Sequence, residues 1–279
     1  MGADVNAKSS DTAYPPLFIA ARCNPNVEVL KYLVSQGADV NFVSHWCGCT
    51  LIHAAPFNPN VEITKYLVSL GADVNAVNKL GDTALYHATL CDPNVELFEY
   101  LVSAGADVHK ANKGYETPLH TAAHQTEFAP AFMKCLIEAG ADVNAKMSNG
   151  TTPLHILACR YPDVEFFKYL VSVGADPTVK NKDGETPFHR AARGNPSLEV
   201  VKYLHSFAAN ADVNVKWGGG NTPLHDVARS VEITGTALME YLLSAGADIY
   251  AKNNEGKTPL DIANTEEKKQ LLREWMSKE

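Results

Sequence analysis

Gly140-Ala-Asp-Val-Asn144, followed by Thr152-Pro-Leu-His155, is the stretch on which the whole chain is patterned. Gly-Ala-Asp recurs at Gly2, Gly37, Gly71, Gly105, Gly140, Gly174 and Gly246, and Asn210-Ala211-Asp212 fills the remaining slot. The successive steps are 35, 34, 34, 35, 34, 36 and 36 residues. The second run recurs in phase, with its first residue at Pro15, Thr50, Thr83, Thr117, Thr152, Thr186, Thr222 and Thr258. Self-similarity at a fixed period of a few tens of residues marks stacked supersecondary units, each too small to bury a core alone. About eight such units leave no stretch over, so one continuous domain over 1–279 is expected.

Each unit reads as a pair of short helices. A Thr that can cap precedes Pro at the first turn, where the missing N–H costs nothing, so a helix starts there. Small pairs such as Ala20-Ala21 and Ala191-Ala192 let neighbouring helices approach closely. A second helix follows Asn-Pro-Asn-Val-Glu: Asn24 is expected to cap, Pro25 to take the first helical position, and Glu28 to sit where the dipole favours an anion. Asn58-Pro59, Asp92-Pro93, Tyr161-Pro162 and Asn195-Pro196 repeat the device. Val29, Leu30, Leu33 and Val34 fall on one face, with Glu28 and Lys31 on another, which is helical periodicity. Gly37 then ends the helix in the left-handed region, with Asn210 standing in once.

Exposed turns around Gly48, Gly81, Gly150, Gly184, Gly220 and Gly256 close the pairs, and Tyr115 occupies this slot in the fourth unit. Two units carry extra residues, at 205–210 and 230–235, read as loops or a lengthened helix. Tyr32, Tyr66, Tyr100, Tyr169, Tyr203 and Tyr241 share one register of the second helices, a ladder expected to pack between units. Glu266 to Trp275 is a highly charged run with Leu271, Leu272 and Trp275 for a packed side, which predicts a capping helix over about 265–277.

A period near 33 residues carrying Thr-Pro-Leu-His-x-Ala resembles the ankyrin repeat. Thr117-Pro-Leu-His120, Thr152-Pro-Leu-His155 and Thr222-Pro-Leu-His225 are verbatim, Thr186-Pro187-Phe188-His189 and Thr258-Pro259-Leu260-Asp261 differ at one place, and the first three copies drift further. The resemblance covers essentially the whole chain. It implies an all-α solenoid of about eight helix-turn-helix units with hairpin-like turns, in which His53, His120, His155, His189 and His225 are structural hydrogen-bonding groups. It also implies a partner protein held by a concave side made of the turn tips and the first helix's exposed face.

Bulk properties narrow the function. A net charge of −8 with pI near 5.7 gives no basic field for nucleic acid. Cys23, Cys47, Cys49, Cys91, Cys135 and Cys159 stand at unlike positions of different units, which suits reduced intracellular thiols rather than a disulfide framework. The start carries no basic and apolar signal segment, and no apolar run approaches the length of a membrane span. A soluble, monomeric, cytoplasmic chain is expected, with a translocated effector as the variant of that reading. Met1 leads directly into the closing Gly-Ala-Asp of a unit, a partial repeat over 1–11, which reads as a fragment of a longer protein.

Candidate chemistry is sparse. His120 and His124 have the i, i+4 spacing of a zinc pair without a third ligand, and His45, Cys47, Cys49 and His53 offer a Cys-x-Cys gap where zinc sites use Cys-x-x-Cys. Gly256-Lys257-Thr258 echoes a phosphate loop, but Ala251 stands where its first glycine is required; Gly218-Gly-Gly220 precedes Pro223 and reads as a flexible turn. No catalytic constellation, cofactor site or metal site is expected, so the reading is a non-enzymatic protein-binding scaffold. The alternatives are a regulatory or targeting module of a larger enzyme or secreted effector, and a small-molecule or metal sensor. Asn41, Asn75 and Asn144 also fit the Leu-x5-Asp-Val-Asn pattern that resembles the target of asparaginyl hydroxylases; bracing of the turn is the preferred role.

What varies between units points to the partner site. The turn tips and the places after the Ala-Ala slot hold Trp46, Phe57, Leu80 and Leu90, then His124, then Arg160, Arg190, Arg193, Arg229 and Trp217. Trp and Arg are enriched among binding anchors. The expected partner is a peptide or protein segment with an apolar anchor for the first group and acidic groups for the arginines.

Overall fold

Helix starts follow the threonine before proline. Thr117, Thr152, Thr186 and Thr222 are extended caps with ψ between 164 and 170°, and proline takes the first helical position after each. The structure, a computed structural model, describes residues 4–9, 13–90, 94–125, 128–195, 197–207, 212–230 and 235–278. The readings placed on Cys91, the Asp92-Pro93 turn, Pro196, Asn210 and the loop residues 208–211 and 231–234 lie outside these.

Contacts divide the chain into two units, Met1–Asp142 and Val143–Glu279. The first carries α1 (Pro16–Cys23) with α2 (Val27–Ser35), α3 (Leu51–Ala54) with α4 (Val61–Ser69), α5 (Ala84–Leu90) with α6 (Val95–Ser103), and α7 (Pro118–His124) with α8 (Ala129–Glu138). The second carries α9 (Pro153–Ala158) with α10 (Val164–Ser172), α11 (Pro187–Gly194) with α12 (Leu198–Phe207), α13 (Pro223–Arg229) with α14 (Gly235–Ser244), and α15 (Pro259–Ile262) with α16 (Glu266–Met276). Within each unit first helices pack on first helices, α1 on α3, α3 on α5 and α5 on α7, then α9 on α11, α11 on α13 and α13 on α15. Among the described residues there is no strand, only the isolated bridges Val43–Thr50 and Trp217–Asn221. The fold is all-α, as the periodicity predicts.

The core is the repeated motif itself. Leu17, Leu51, Leu85, Leu119, Leu154, Phe188 and Leu224 are buried, and so are the small pairs Ala20-Ala21, Ala122-Ala123 and Ala191-Ala192 that allow the close approach. Leu30, Leu67, Leu101, Leu136, Leu170 and Leu204 supply the second layer.

Polar side chains fasten neighbours at three levels. In the motif, the Thr152 N–H donates to His155 Nδ1 at 3.2 Å, so the ring proton sits on Nε2, which donates to the Glu185 carbonyl at 3.1 Å. His53, His189 and His225 reach the carbonyls of Asp82, Asp212 and Lys257 in the same way. Asp261, in the His slot, accepts from the Thr258 N–H and from the Thr258 hydroxyl, both at 2.8 Å, but a carboxylate has no ring N–H to donate onward as the histidines do; there the chain passes into α16 instead of another turn. At the loops, Asn75 donates to the Gly105 carbonyl at 2.9 Å and accepts from Asp107 N–H at 2.7 Å, and Asn144 does the same with Gly174 and Asp176. This is the bracing role expected of those asparagines.

The third level corrects the capping assignment. Helix α2 begins at Val27, and its cap is Asn26, whose side chain accepts from Glu28 N–H at 3.0 Å, not Asn24. Asn24 folds an Asx turn onto Asn26 N–H at 2.9 Å, so Pro25 stays outside the helix. The first asparagine of the device serves the preceding unit instead: Asn58 donates to the carbonyls of Ala21 and Asn24 at 3.1 and 2.9 Å, and Asn195 to those of Ala158 and Tyr161 at 2.8 and 2.7 Å. Helix ends leave carbonyls without partners, and these amides satisfy them. Lys268 of α16 does so for α13, donating to the carbonyls of Val227 and Ser230 from a buried position. With Leu272 fully buried, α16 packs on α14 and α15.

Three other expectations are refined. Tyr32 is exposed and the other ladder tyrosines are half-buried, because leucines of the same helices occupy the core. Gly218–Gly220 is not a loose turn: Gly220 has φ +73°, and a Cβ there would lie 2.3 Å from Asn254 Oδ1, so the next turn sits directly on it. Tyr115 does adopt the glycine conformation, with φ +64°, a strained setting for a side chain with Cβ.

Candidate functional site

The turn tips of the first unit are tied in series by their backbones. Lys79 N–H donates to the Cys47 carbonyl at 2.7 Å, and Lys113 N–H to the Leu80 carbonyl at 2.8 Å. Inside each tip an asparagine holds the geometry: Asn78 Oδ1 accepts from Leu80 and Asp82 N–H, and Asn112 Oδ1 from Gly114 and Glu116 N–H. On this frame stand Trp46, 74% exposed, Leu80, 65% exposed, and Tyr115, 61% exposed. Three successive tips therefore present large apolar groups to solvent. The sequence marks Tyr115 as a bulky residue in a glycine slot but not as a site candidate, and that slot was its signal, since strain of this kind clusters where a side chain is needed.

The first-helix ends hold the other apolar candidates. Phe57 ends the short 3₁₀ turn after α3, is 40% exposed, and lies beneath the Arg22 guanidinium at 4.7 Å and beside His87 at 5.5 Å. Leu90 and His124 end α5 and α7 and are exposed. Burial, then the charge of His53, pulls His87 down to about 4, so its imidazole is neutral at physiological pH and Arg22 is the charged member of the cluster.

The arginines of the second unit differ from expectation. Glu185 and Asp226 are buried, and the guanidinium groups are turned toward them. Arg190 Nε lies 2.7 Å from Glu185 Oε2, an ionic contact without the angle of a hydrogen bond. Arg193 Nε is 3.2 Å from Asp226 Oδ2 and its Nη1 is 3.9 Å from Glu185, while Arg229 Nη2 is 3.3 Å from Asp226 Oδ1. Trp217, expected at an exposed tip, is buried; its Nε1–H donates to Asp226 Oδ2 at 2.9 Å and Arg193 stacks on its ring at 5.6 Å. A buried carboxylate demands donors, and it draws the indole and guanidiniums inward. Burial raises the Asp226 carboxyl above its usual range, against the Trp217 hydrogen bond and the two arginines. The charge contact between α11 and α13 is made by Arg193 with Asp226, and Asp226 stands where Arg190 stands in the preceding motif. Arg160 is exposed and makes no ion pair among the described residues.

Arg193 thus holds the fold as well as a surface. Arg193→Ala is expected to lower unfolding free energy by about 2 kcal/mol, since it strips a charged partner from buried Asp226, whereas Arg160→Ala should stay within about 0.5. Urea midpoints of the two variants check this; equal midpoints would show that the network carries no stability.

Both ring nitrogens of His53 are engaged, by Thr50 and by the Asp82 carbonyl, which leaves Cys47 and Cys49 without that imidazole as a co-ligand. Among the described residues no three His, Cys, Asp or Glu side chains converge for a metal ion. No described helix is long and apolar enough to cross a membrane.

No curated protein matches the chain. The family model for ankyrin repeats (3 copies) matches it at residues 17–112, 91–181 and 156–253. Helix pairs of the expected type, motif histidines bonded to the following unit and three matches covering most of the sequence agree, and the chain belongs to the ankyrin-repeat family.

Proposed function

We propose that this chain is a non-enzymatic scaffold that binds a partner protein on the side formed by its turn tips and first-helix ends. Ankyrin repeats are in general protein–protein interaction modules. The observation that carries the finer reading is the row Trp46, Leu80 and Tyr115, exposed on tips whose backbones are hydrogen-bonded in series. Exposed apolar groups in a contiguous row mark interaction sites, and a rigid frame lowers the entropy lost on binding. Phe57 and Leu90 extend the apolar character to the helix ends. The partner segment is apolar for this unit. Its acidic groups answer to Arg160 and to the cluster where Arg190, Arg193 and Arg229 surround only two buried carboxylates, leaving one positive charge in excess.

Tyr115→Gly separates stability from binding. Relief of the left-handed strain should raise unfolding free energy by about 0.5–1 kcal/mol, while affinity for the partner falls. The test compares capture of a native partner by wild type, by Trp46→Ser/Leu80→Ser/Tyr115→Gly, and by Tyr32→Ala and Tyr66→Ala on the second helices. Loss in the triple variant alone supports the reading. Full binding by the triple variant, with loss in the folded tyrosine variants, moves the site to the second-helix side.

A further inference from the structure

The turn from Ser44 to Cys49 holds two thiols that the scaffold reading leaves unused. It is closed by Ser44 N–H donating to the Cys49 carbonyl at 2.8 Å and Gly48 N–H to the Ser44 carbonyl at 2.8 Å, with Gly48 at φ +71° between the cysteines. That conformation folds Cys47 back on its neighbour, so Cys49 N–H donates to Cys47 Sγ at 3.3 Å. The Tyr14 hydroxyl lies 3.8 Å from the same sulfur. Lys79 is laid across the turn, its ammonium donating to the His45 carbonyl at 2.6 Å. Both thiols are partly open to solvent and neither is in a disulfide.

Their chemistry is split. Burial alone would raise the Cys47 thiol, but hydrogen bonds from the Cys49 side chain, Ser44, the Cys49 amide and Tyr14 outweigh it and hold the group below its ordinary value. Burial, followed by the hydrogen bond to Cys47 and its charge, pushes Cys49 up to about 12. One sulfur is thus the more readily ionised of the two and the adjacent one keeps its proton, an asymmetry suited to a nucleophile and a resolving thiol.

We propose that Cys47 and Cys49 are an oxidisable dithiol that a hydroperoxide converts to an intrachain disulfide within this turn. The Cys47 thiolate attacks the hydroperoxide; an S–O bond forms, the O–O bond breaks, and the leaving oxygen takes a proton to depart as an alcohol, or as water from hydrogen peroxide. Cys47 is then a sulfenic acid, two electrons more oxidised and uncharged, so the anion that helped hold the Cys49 proton is gone. Cys49 attacks the Cys47 sulfur; the S–S bond forms, the S–O bond breaks, and hydroxide leaves with the Cys49 proton as water. The sum is two thiols and one hydroperoxide giving one disulfide, one alcohol and one water.

The experiment treats the full chain with hydrogen peroxide and maps peptides without reduction. Wild type should lose two hydrogens from the peptide holding Cys47 and Cys49, at least about tenfold faster than exposed Cys23 is oxidised, the rate advantage expected of a thiolate-prone sulfur. Cys49→Ser should accumulate a sulfenic acid at Cys47 that a 1,3-dione captures, and Cys47→Ser should leave Cys49 reduced. Circular dichroism confirms that both variants are folded, and a cysteine-specific alkylation rate on untreated wild type gives a second reading of the same asymmetry. Two free thiols after Cys23 has reacted, a disulfide to another chain, or equal alkylation of Cys47 and Cys49 overturns the proposal.

Discussion

Leu154→Ala is expected to lower the unfolding free energy by about 2–5 kcal/mol, against no more than about 0.5 for Lys146→Ala a few residues away. Leu154 is 2% exposed on α9, which packs against α11, and its truncation both loses apolar burial and leaves a cavity between helices already brought close by Ala158 and Ala191. Backbones held this near by small residues have little room to collapse, so the cost belongs in the upper part of that range. Lys146 is exposed and makes no ion pair among the described residues. Chemical denaturation followed by circular dichroism gives both midpoints; midpoints that agree within error would remove the buried motif leucine as the source of stability.

Acid should unfold the protein earlier than carboxylate titration requires. His155 is buried with both ring nitrogens engaged, and burial, reinforced by the charge of Arg190, brings its pKa down to about 4 although the Glu185 and Val179 backbones pull the other way. An unfolded histidine titrates near 6.5, so between about 6.5 and 4 the unfolded chain takes up the proton and the folded chain does not. The stabilisation from neutral His155 is therefore complete above about 6.5 and is lost as pH falls toward 4, by about 3 kcal/mol for the full span. His53 and His189 are lowered by burial as well and add to the same slope. Asp226 acts with the opposite sign: its folded carboxyl is raised, so protonation on acidification relieves a burial cost. Urea midpoints of wild type and His155→Gln at pH 7.5 and 4.5 decide the matter. The variant should lose about 2–3 kcal/mol less over that interval; equal losses would place the acid sensitivity elsewhere.

The repeat pattern alone determined that the chain is all-α, where its helices lie and which motif residues are buried. These properties follow from period, capping and small-residue spacing, which are local along the sequence. The apolar turn candidates Trp46 and Leu80 were legible for the same reason, since a tip defined by its glycine is exposed wherever the unit is placed. The fate of Trp217 and the arginines was decided by the tertiary structure: a buried acid on one helix is invisible until the neighbouring helix sets its register, and only then does Asp226 draw Arg193, Arg229 and the indole inward. Asn58 and Lys268 belong with them, because an amide or ammonium that caps a helix dozens of residues earlier in the chain answers carbonyls supplied by another unit. Local sequence specifies the helix; which polar side chain must satisfy its open end depends on what stacking places within hydrogen-bond reach.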